Sequence, residues 1–198
     1  MTRIYIEAKH ERTSEAVFIK TLLLSIGKNE NQYELICVDG KDNLANVSVK
    51  MREATLEDIN NIIIFDADFP DNNGGYLIRK SEIESMLQTL SVQATIFLFP
   101  NNHEDGDVET LLERIMQKND HQRFFDCYHD YENCLGDMYI SPNRKGKLHT
   151  YISAQKGLNK KQRNALGSGH WCFDDKRYWD IDSMELEPLK EFLNLYVS

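Results

Sequence analysis

Apolar and polar positions divide the first 118 residues into short and long blocks. Short runs rich in β-branched and aromatic residues predict four strands, at 3–7, 33–38, within 61–70 and at 92–99. Segments with apolar residues at helical spacing follow them at 14–27, 43–57, 76–90 and 108–117. Strands alternating with helices in this way predict βαβ units and a mainly parallel α/β sheet flanked by helices.

Finer predictions concern two of the helices. Ser14 is expected to cap the first helix and Gly27 to end it. The helix over 76–90 is expected to bury one apolar face, made of Leu77, Ile83, Met86, Leu87 and Leu90.

The pattern changes beyond residue 118. An aromatic and polar stretch is followed by the densest basic cluster, which contains Arg144, Lys145, Lys147 and Lys156. The chain then carries Trp171 and Trp179 and a short final helix. No repeat or long linker separates these parts, so 1–198 is predicted to be a single domain. Its core unit is 1–118, and 119–198 is a C-terminal extension packed on the sheet.

Charge limits the possible functions. The chain has 198 residues and a net charge of −9, from 23 basic and 32 acidic side chains. This argues against a protein that coats nucleic acid with a broad basic surface. It leaves open an enzyme that contacts phosphodiesters locally through metal ions. No apolar run approaches the roughly 18 residues that a membrane helix needs, and the first residues lack a signal-peptide core, so we expect a cytoplasmic location.

Two aspartates end the third predicted strand. Asp66 and Asp68 follow the apolar run NIIIF, which puts them at the carboxyl edge of the sheet, where ligands bind in open α/β folds. Crowded carboxylates repel one another unless a cation or proton lies between them, and hard divalent ions favour oxygen ligands. An isolated DxD is weak evidence, because Asp is also common in turns and helix caps.

Acids at other strand ends strengthen the prediction of a metal site. Glu7 ends the first strand and Glu11 follows it, while the segment after the fourth strand offers Glu104, Asp105, Asp107 and Glu109. Acids at three neighbouring strand ends predict a site for Mg²⁺ or Mn²⁺. Glu109 is a weaker candidate, since an acid in the first turn of a helix is favoured by the helix dipole in any case.

The order of these motifs resembles a known fold. A strand ending in Glu, a helix, and a later strand ending in DxD resemble the Toprim fold of topoisomerases, bacterial primases and overcoming-lysogenization-defect (OLD) nucleases. IEAKHE and IIIFDADFP resemble the acid motifs of those nucleases. Over nearly its whole length the chain is similar to small stand-alone bacterial Toprim-like proteins, through FDADFPDNNGGY, FLFPNNHEDGDVETLL, KGKLHTYISAQKGL and WDIDSMELEPLKEFL. It departs from the Toprim pattern at Ala8, where Gly is usual.

The resemblance implies a Toprim-like Rossmannoid fold and metal-dependent cleavage of DNA or RNA. It implies that Glu7, Glu11, Asp66 and Asp68 bind one or two divalent ions, with Glu7 also a candidate general base, and that a later lysine stabilises charge in the transition state. Lys147 and Lys145, in a predicted basic loop, are the candidates for that lysine, although a solvated surface cluster explains them equally well. Residues expected to contact substrate are Lys9, His10, Lys41 and Arg144.

OLD-type nucleases often act with an ATPase in defence against phage. This chain has no GxxxxGK[ST] motif, so any ATPase is expected to be a separate partner. Two other functions remain open: a phosphatase or phosphotransferase acting on small phosphate esters, and a metal-binding regulatory module that needs a partner. Trp171 and Trp179 could stack on bases, but core positions are the favoured expectation.

Overall fold

Four parallel strands form one sheet in the computed structural model, which describes residues 1–197. The strands are β1 (Thr2–Ile6), β2 (Tyr33–Cys37), β3 (Asn60–Asp66) and β4 (Thr95–Phe99), in the order β2-β1-β3-β4. The central strand β1 pairs with β2 and β3, and its Ile4 lies opposite Leu35 on one side and Ile62 on the other. The predicted α/β fold with a parallel four-stranded sheet is thus confirmed.

Eight α-helices within residues 1–197 connect and cover the strands. Four belong to the first part of the chain: α1 (Ser14–Ser25), α2 (Ser48–Leu56), α3 (Tyr76–Leu90) and α4 (Val108–Arg114). The other four follow: α5 (Gln122–Leu135), α6 (Arg144–Ser153), α7 (Lys160–Ala165) and α8 (Glu187–Tyr196). The predicted helix at 43–57 is divided, since Lys41–Val47 forms a 3-10 helix before α2. No helix within residues 1–197 is long and apolar enough to cross a membrane.

Both faces of the sheet are covered. On β3, Ile62 and Ile64 belong to a core shared with α1, α4 and the C-terminal extension. Ile63 and Phe65 point to the opposite face and pack in a second core with α2 and α3. Burial on both faces explains why β3 is continuously apolar rather than alternating.

The C-terminal extension packs into the first of these cores. Trp179 is fully buried, Trp171 is 3% exposed, and the Trp179 Nε1–H donates a hydrogen bond to the Trp171 carbonyl at 2.8 Å. Leu189 and Leu193 of α8 join the same core. The preference for core tryptophans over base-stacking ones is confirmed.

Local predictions for α1 and α3 need correction. Thr13, not Ser14, caps α1, because its side-chain oxygen accepts a hydrogen bond from the Ala16 N–H. In α3 Leu77 is 78% exposed, and Arg79 takes a place on the buried face instead. Arg79 lies one helical turn before Ile83, so it shares the side that faces the sheet.

The predicted basic loop is also wrong. Arg144, Lys145 and Lys147 lie in the first turn of α6, which Asn143 caps by accepting a hydrogen bond from the Gly146 N–H. The helix buries Leu148, Tyr151 and Ile152 against the core. Packing therefore fixes the backbone positions of its basic residues.

Candidate functional site

Glu7 and Asp66 lie side by side where β1 and β3 end. The Asp66 N–H donates to Glu7 Oε2 at 3.1 Å, and the Lys41 N–H donates to Glu7 Oε1 at 2.9 Å. One carboxylate thus joins the ends of two adjacent strands to the turn after β2. Burial raises the pKa of Glu7, and the nearby Asp68 charge raises it further, while the two N–H donors oppose the shift.

Asp66 connects the sheet to α4. Its Oδ1 accepts a hydrogen bond at 2.8 Å from the N–H of Val108, the first residue of that helix. Burial raises the pKa of Asp66 well above its usual value, and the charges of Glu15, Glu7 and Glu109 add to the effect. Asp66 is therefore at the centre of a group of like charges.

Glu15 is a member of this group that the sequence analysis did not identify. It lies in the first turn of α1, is 9% exposed, and its Oε1 is buried with no hydrogen-bond partner within residues 1–197. Burial, with the charges of Glu7 and Glu109, raises the pKa of Glu15 to about 8. Its spacing of four from Ile19 and seven from Leu22 places it on the apolar side of α1 and was a usable signal.

Glu109 completes the group from the first turn of α4. Its side chain is 14% exposed, and Lys145 Nζ lies 3.7 Å from its Oε1. Burial raises the pKa of Glu109, and the Lys145 charge opposes that shift. Four carboxyl groups from four elements thus converge at the carboxyl edge of the sheet; we call Glu7, Glu15, Asp66 and Glu109 the acid cluster.

Asp68 is held by a buried arginine. The Arg79 guanidinium is 1% exposed and donates to Asp68 Oδ2 at 2.5 Å and to Glu82 Oε2 at 2.6 Å. Asp68 has a left-handed backbone (φ 60°), and a Cβ on Gly74 would lie 2.4 Å from the Asp68 Cβ. Arg79 was not predicted as a site residue, because nothing in the sequence of α3 indicates that one of its charged residues is buried.

The acids that follow β4 mainly support the backbone. Asp105 Oδ1 accepts from the N–H of Tyr76 at the start of α3, and Asp107 Oδ1 accepts from the Thr110 N–H within α4. The backbones of Gly106 and Asp68 exchange two hydrogen bonds, at 2.7 and 2.9 Å. These contacts fix the loop that follows Asp66 against the loop that precedes α4.

Glu11 and the predicted substrate residues lie outside the acid cluster. Glu11 is exposed and pairs with Lys20 at 2.5 Å. Lys9 and His10 are exposed in the loop after β1. Lys41 gives its N–H to Glu7, but its Nζ pairs with Asp42 at 2.7 Å.

The basic residues of α6 pair with two different sets of acids, one outside the acid cluster and one within it. Arg144 pairs with Asp107 at 2.9 Å and with Glu113 at 3.4 Å, and Lys147 pairs with Glu113 at 3.3 Å. Lys145 alone of the two candidate lysines lies next to a member of the acid cluster, through its contact with Glu109.

The fit of a divalent ion to this site is partial. Carboxylate oxygens are the ligands that Mg²⁺ and Mn²⁺ prefer. The buried Glu15 Oε1 has no hydrogen-bond partner within residues 1–197 and is available to coordinate such an ion. No three His, Cys, Asp or Glu side chains within residues 1–197 are grouped so that they could hold an ion as they stand. The donor set suits a hard cation, but binding one requires the carboxylates to move closer together.

Comparison with known proteins identifies one family. A family described as "Protein of unknown function (DUF3226)" matches residues 2–198. Comparison with curated proteins gave no match, and comparison with solved structures gave none.

Proposed function

Since the chain belongs to the DUF3226 family of proteins of unknown function, we propose its activity from the site itself. The protein binds Mg²⁺ or Mn²⁺ at the acid cluster and hydrolyses phosphodiester bonds of DNA or RNA. The main support for this proposal is that four half-buried or buried carboxyl groups, all with raised pKa values, converge around the ends of β1 and β3. Such a group favours a cation that neutralises it.

The Toprim resemblance supports the same proposal. Toprim-like motifs imply a Glu and a DxD at the ends of two strands, and here Glu7 and Asp66 end adjacent strands of a parallel sheet. A separate ATPase partner and a role in phage defence belong to the proposal on that resemblance alone.

Each residue of the site then has a distinct part. A divalent ion would supply Lewis-acid polarisation of the phosphate and of an attacking water. Glu7 has both oxygens occupied by backbone N–H groups, so it fixes the geometry of the strand ends. Glu15 Oε1 has no such partner within residues 1–197, so it is the carboxylate oxygen best placed to bind the ion. Lys145 is placed to stabilise charge that develops on the phosphate.

The test is an activity assay with matched variants. Purified protein is incubated with supercoiled plasmid, linear DNA and RNA, in Mg²⁺, Mn²⁺ or EDTA, beside a chromogenic phosphate monoester. We expect metal-dependent nucleic-acid cleavage that falls by a factor of about 100 or more in Asp66→Asn. Asp130→Asn, which changes an exposed aspartate on α5, is the control and should leave the rate unchanged.

Two results would overturn the proposal. Hydrolysis of the monoester alone would identify a phosphatase. Metal-induced stabilisation of the protein without cleavage of any substrate would identify a regulatory module that depends on a partner.

A further inference from the structure

A pocket of about 620 Å³ adjoins the acid cluster at the N-terminus of α1. The ionisable residues that line it are all of basic types: Arg12 and Lys145, with His10 and His149. No carboxylate lines it among residues 1–197, although the chain as a whole has a net charge of −9. This local reversal of charge indicates an anionic ligand.

Lys145 links the pocket to the acid cluster. It lines the pocket, and its Nζ lies 3.7 Å from Glu109. On the other side, Ser14 lines the pocket while the next residue, Glu15, belongs to the acid cluster. A ligand in the pocket would therefore lie against the proposed reaction site.

The far wall of the pocket is fixed in place. Gly169 packs so closely on the start of α1 that a Cβ there would lie 2.4 Å from the Ser14 nitrogen. Trp171, which is 3% exposed, donates its Nε1–H to the Leu166 carbonyl at 3.1 Å. The pocket is thus held open by packed backbone and a buried ring, which reduces the entropy cost of binding.

The basic side chains are accessible to a ligand. His10, Arg12 and His149 are exposed, and Thr13 and Ser14 place the positive end of the α1 dipole at the pocket wall. Arginine is well suited to phosphate, because its planar fork can make two parallel hydrogen bonds. A volume of this size accommodates a phosphate with part of its nucleotide.

We infer that this pocket binds a backbone phosphate of the nucleic-acid strand, next to the bond placed at the acid cluster. The inference deepens the proposed function and rests on it for the identity of the strand. Phosphate recognition itself follows from the lining of the pocket.

Binding is measured without cleavage. Fluorescence anisotropy follows a short labelled single-stranded oligonucleotide in EDTA, over a range of salt concentrations. The double variant Arg12→Ala/His149→Ala is compared with Arg123→Ala/His129→Ala, which removes the same residue types from exposed positions on α5. Neither pair includes a residue assigned to catalysis.

We expect the Kd of the pocket variant for the oligonucleotide to be about tenfold higher than that of wild type. The slope of log Kd against log salt concentration should fall by about one, and the control variant should match wild type in both. Equal effects in both pairs, or an effect in neither, would overturn the inference. So would displacement of the oligonucleotide by inorganic phosphate or a nucleoside monophosphate as readily as by unlabelled strand, since that result points to a small phosphate ester. Oligonucleotide binding at the pocket without cleavage in Mg²⁺ would instead reject the nuclease and leave the pocket assignment standing.

Discussion

The guanidinium of Arg79, 1% exposed, holds the Asp68 carboxylate at 2.5 Å, although Asp68 itself is 34% exposed. The contact ties the loop after β3 to the buried side of α3. A buried arginine contributes both charge pairing and packing of its long side chain. Asp68 therefore enters any binding event already paired.

Arg79→Ala should lower the free energy of unfolding by about 3 kcal/mol, because it removes both the packing and the pairing. Urea denaturation monitored by circular dichroism measures the loss. Glu82→Gln, which disturbs the same arginine through a 45% exposed partner, should cost less than about 1 kcal/mol. Equal losses in the two variants would show that burial of Arg79 adds nothing to the free energy of unfolding beyond its exposed ion pair.

Stability should fall as pH rises from about 5 to 9. A carboxyl whose folded pKa exceeds its unfolded pKa binds more protons when folded, so its contribution is complete at low pH and is lost as pH rises through the folded pKa. All four members of the acid cluster have raised pKa values, and that of Glu15 is about 8. Glu15→Gln should flatten this decline and melt higher than wild type at pH 9, as scanning fluorimetry at several pH values measures.

The exposed Glu57→Gln, at the end of α2, is the control for that series and should follow wild type. Parallel pH curves for wild type and Glu15→Gln would contradict the placement of Glu15 among interacting acids.

Divalent ions should raise the melting temperature, since an ion that binds only the folded chain stabilises it by about 2.7 kcal/mol at a hundredfold excess over Kd. Asp66→Asn should melt at the same or a higher temperature in EDTA, because Asn retains an acceptor for the Val108 N–H and cannot take up the negative charge that burial and the neighbouring acids disfavour. Its response to Mg²⁺ or Mn²⁺ should disappear. A metal-insensitive wild type together with a destabilised Asp66→Asn would identify Asp66 as a purely structural acid.

The two lysines of α6 should differ in effect. Lys145→Ala should lower cleavage by a factor of about 100 while leaving the Mg²⁺-induced stabilisation intact, since a cation that meets developing charge acts on the transition state. Lys147→Ala should change the rate little, because Lys147 pairs with Glu113 and lies over the Tyr128 ring. Single-turnover cleavage rates distinguish them, and a larger effect of Lys147→Ala would reverse the assignment.

Gly169→Ala should destabilise the protein by about 2 kcal/mol or more, because the new methyl group would collide with backbone at the start of α1 and Gly169 has a φ of +76°. Gly167→Ala is a close control, since nothing lies within 4 Å of its Cβ position and its φ is not positive. It should be neutral or slightly stabilising in thermal melts. Comparable losses in the two variants would contradict the close contact of this segment with α1.

The sheet could be predicted from the sequence because its signals are local and strong. Ile62 to Phe65 form an apolar run that is typical of a strand buried on both faces, and this predicts that the aspartates after it lie at the carboxyl edge. The position of Glu7 beside Asp66 follows from strand direction alone, once the strands are parallel and adjacent.

The parts that could not be predicted depend on packing between distant segments. Glu11 and Glu15 are one helical turn apart in sequence, but Thr13 begins the helix between them, so only Glu15 is carried into the core. Arg79 is buried and its charge is paired with Asp68, a residue outside α3, so no pattern within that helix reveals its burial. The start of α6 was not predicted because Gly146 and the charged residues around it are typical of a loop. Which face of this helix is buried is seen only from the packing of Leu148.

The contact of Gly169 with the start of α1 has a consequence for synthesis. Domains begin to fold from the N-terminus as the chain emerges, so the strands and the carboxylates they carry are available early. The far wall of the basic pocket is made by residues 166–171, which leave the ribosome well after Glu109, the last member of the acid cluster. A nascent chain, or one truncated before residue 166, would thus display its acids before it could hold a phosphate strand, and the proposed activity would require both parts of the chain.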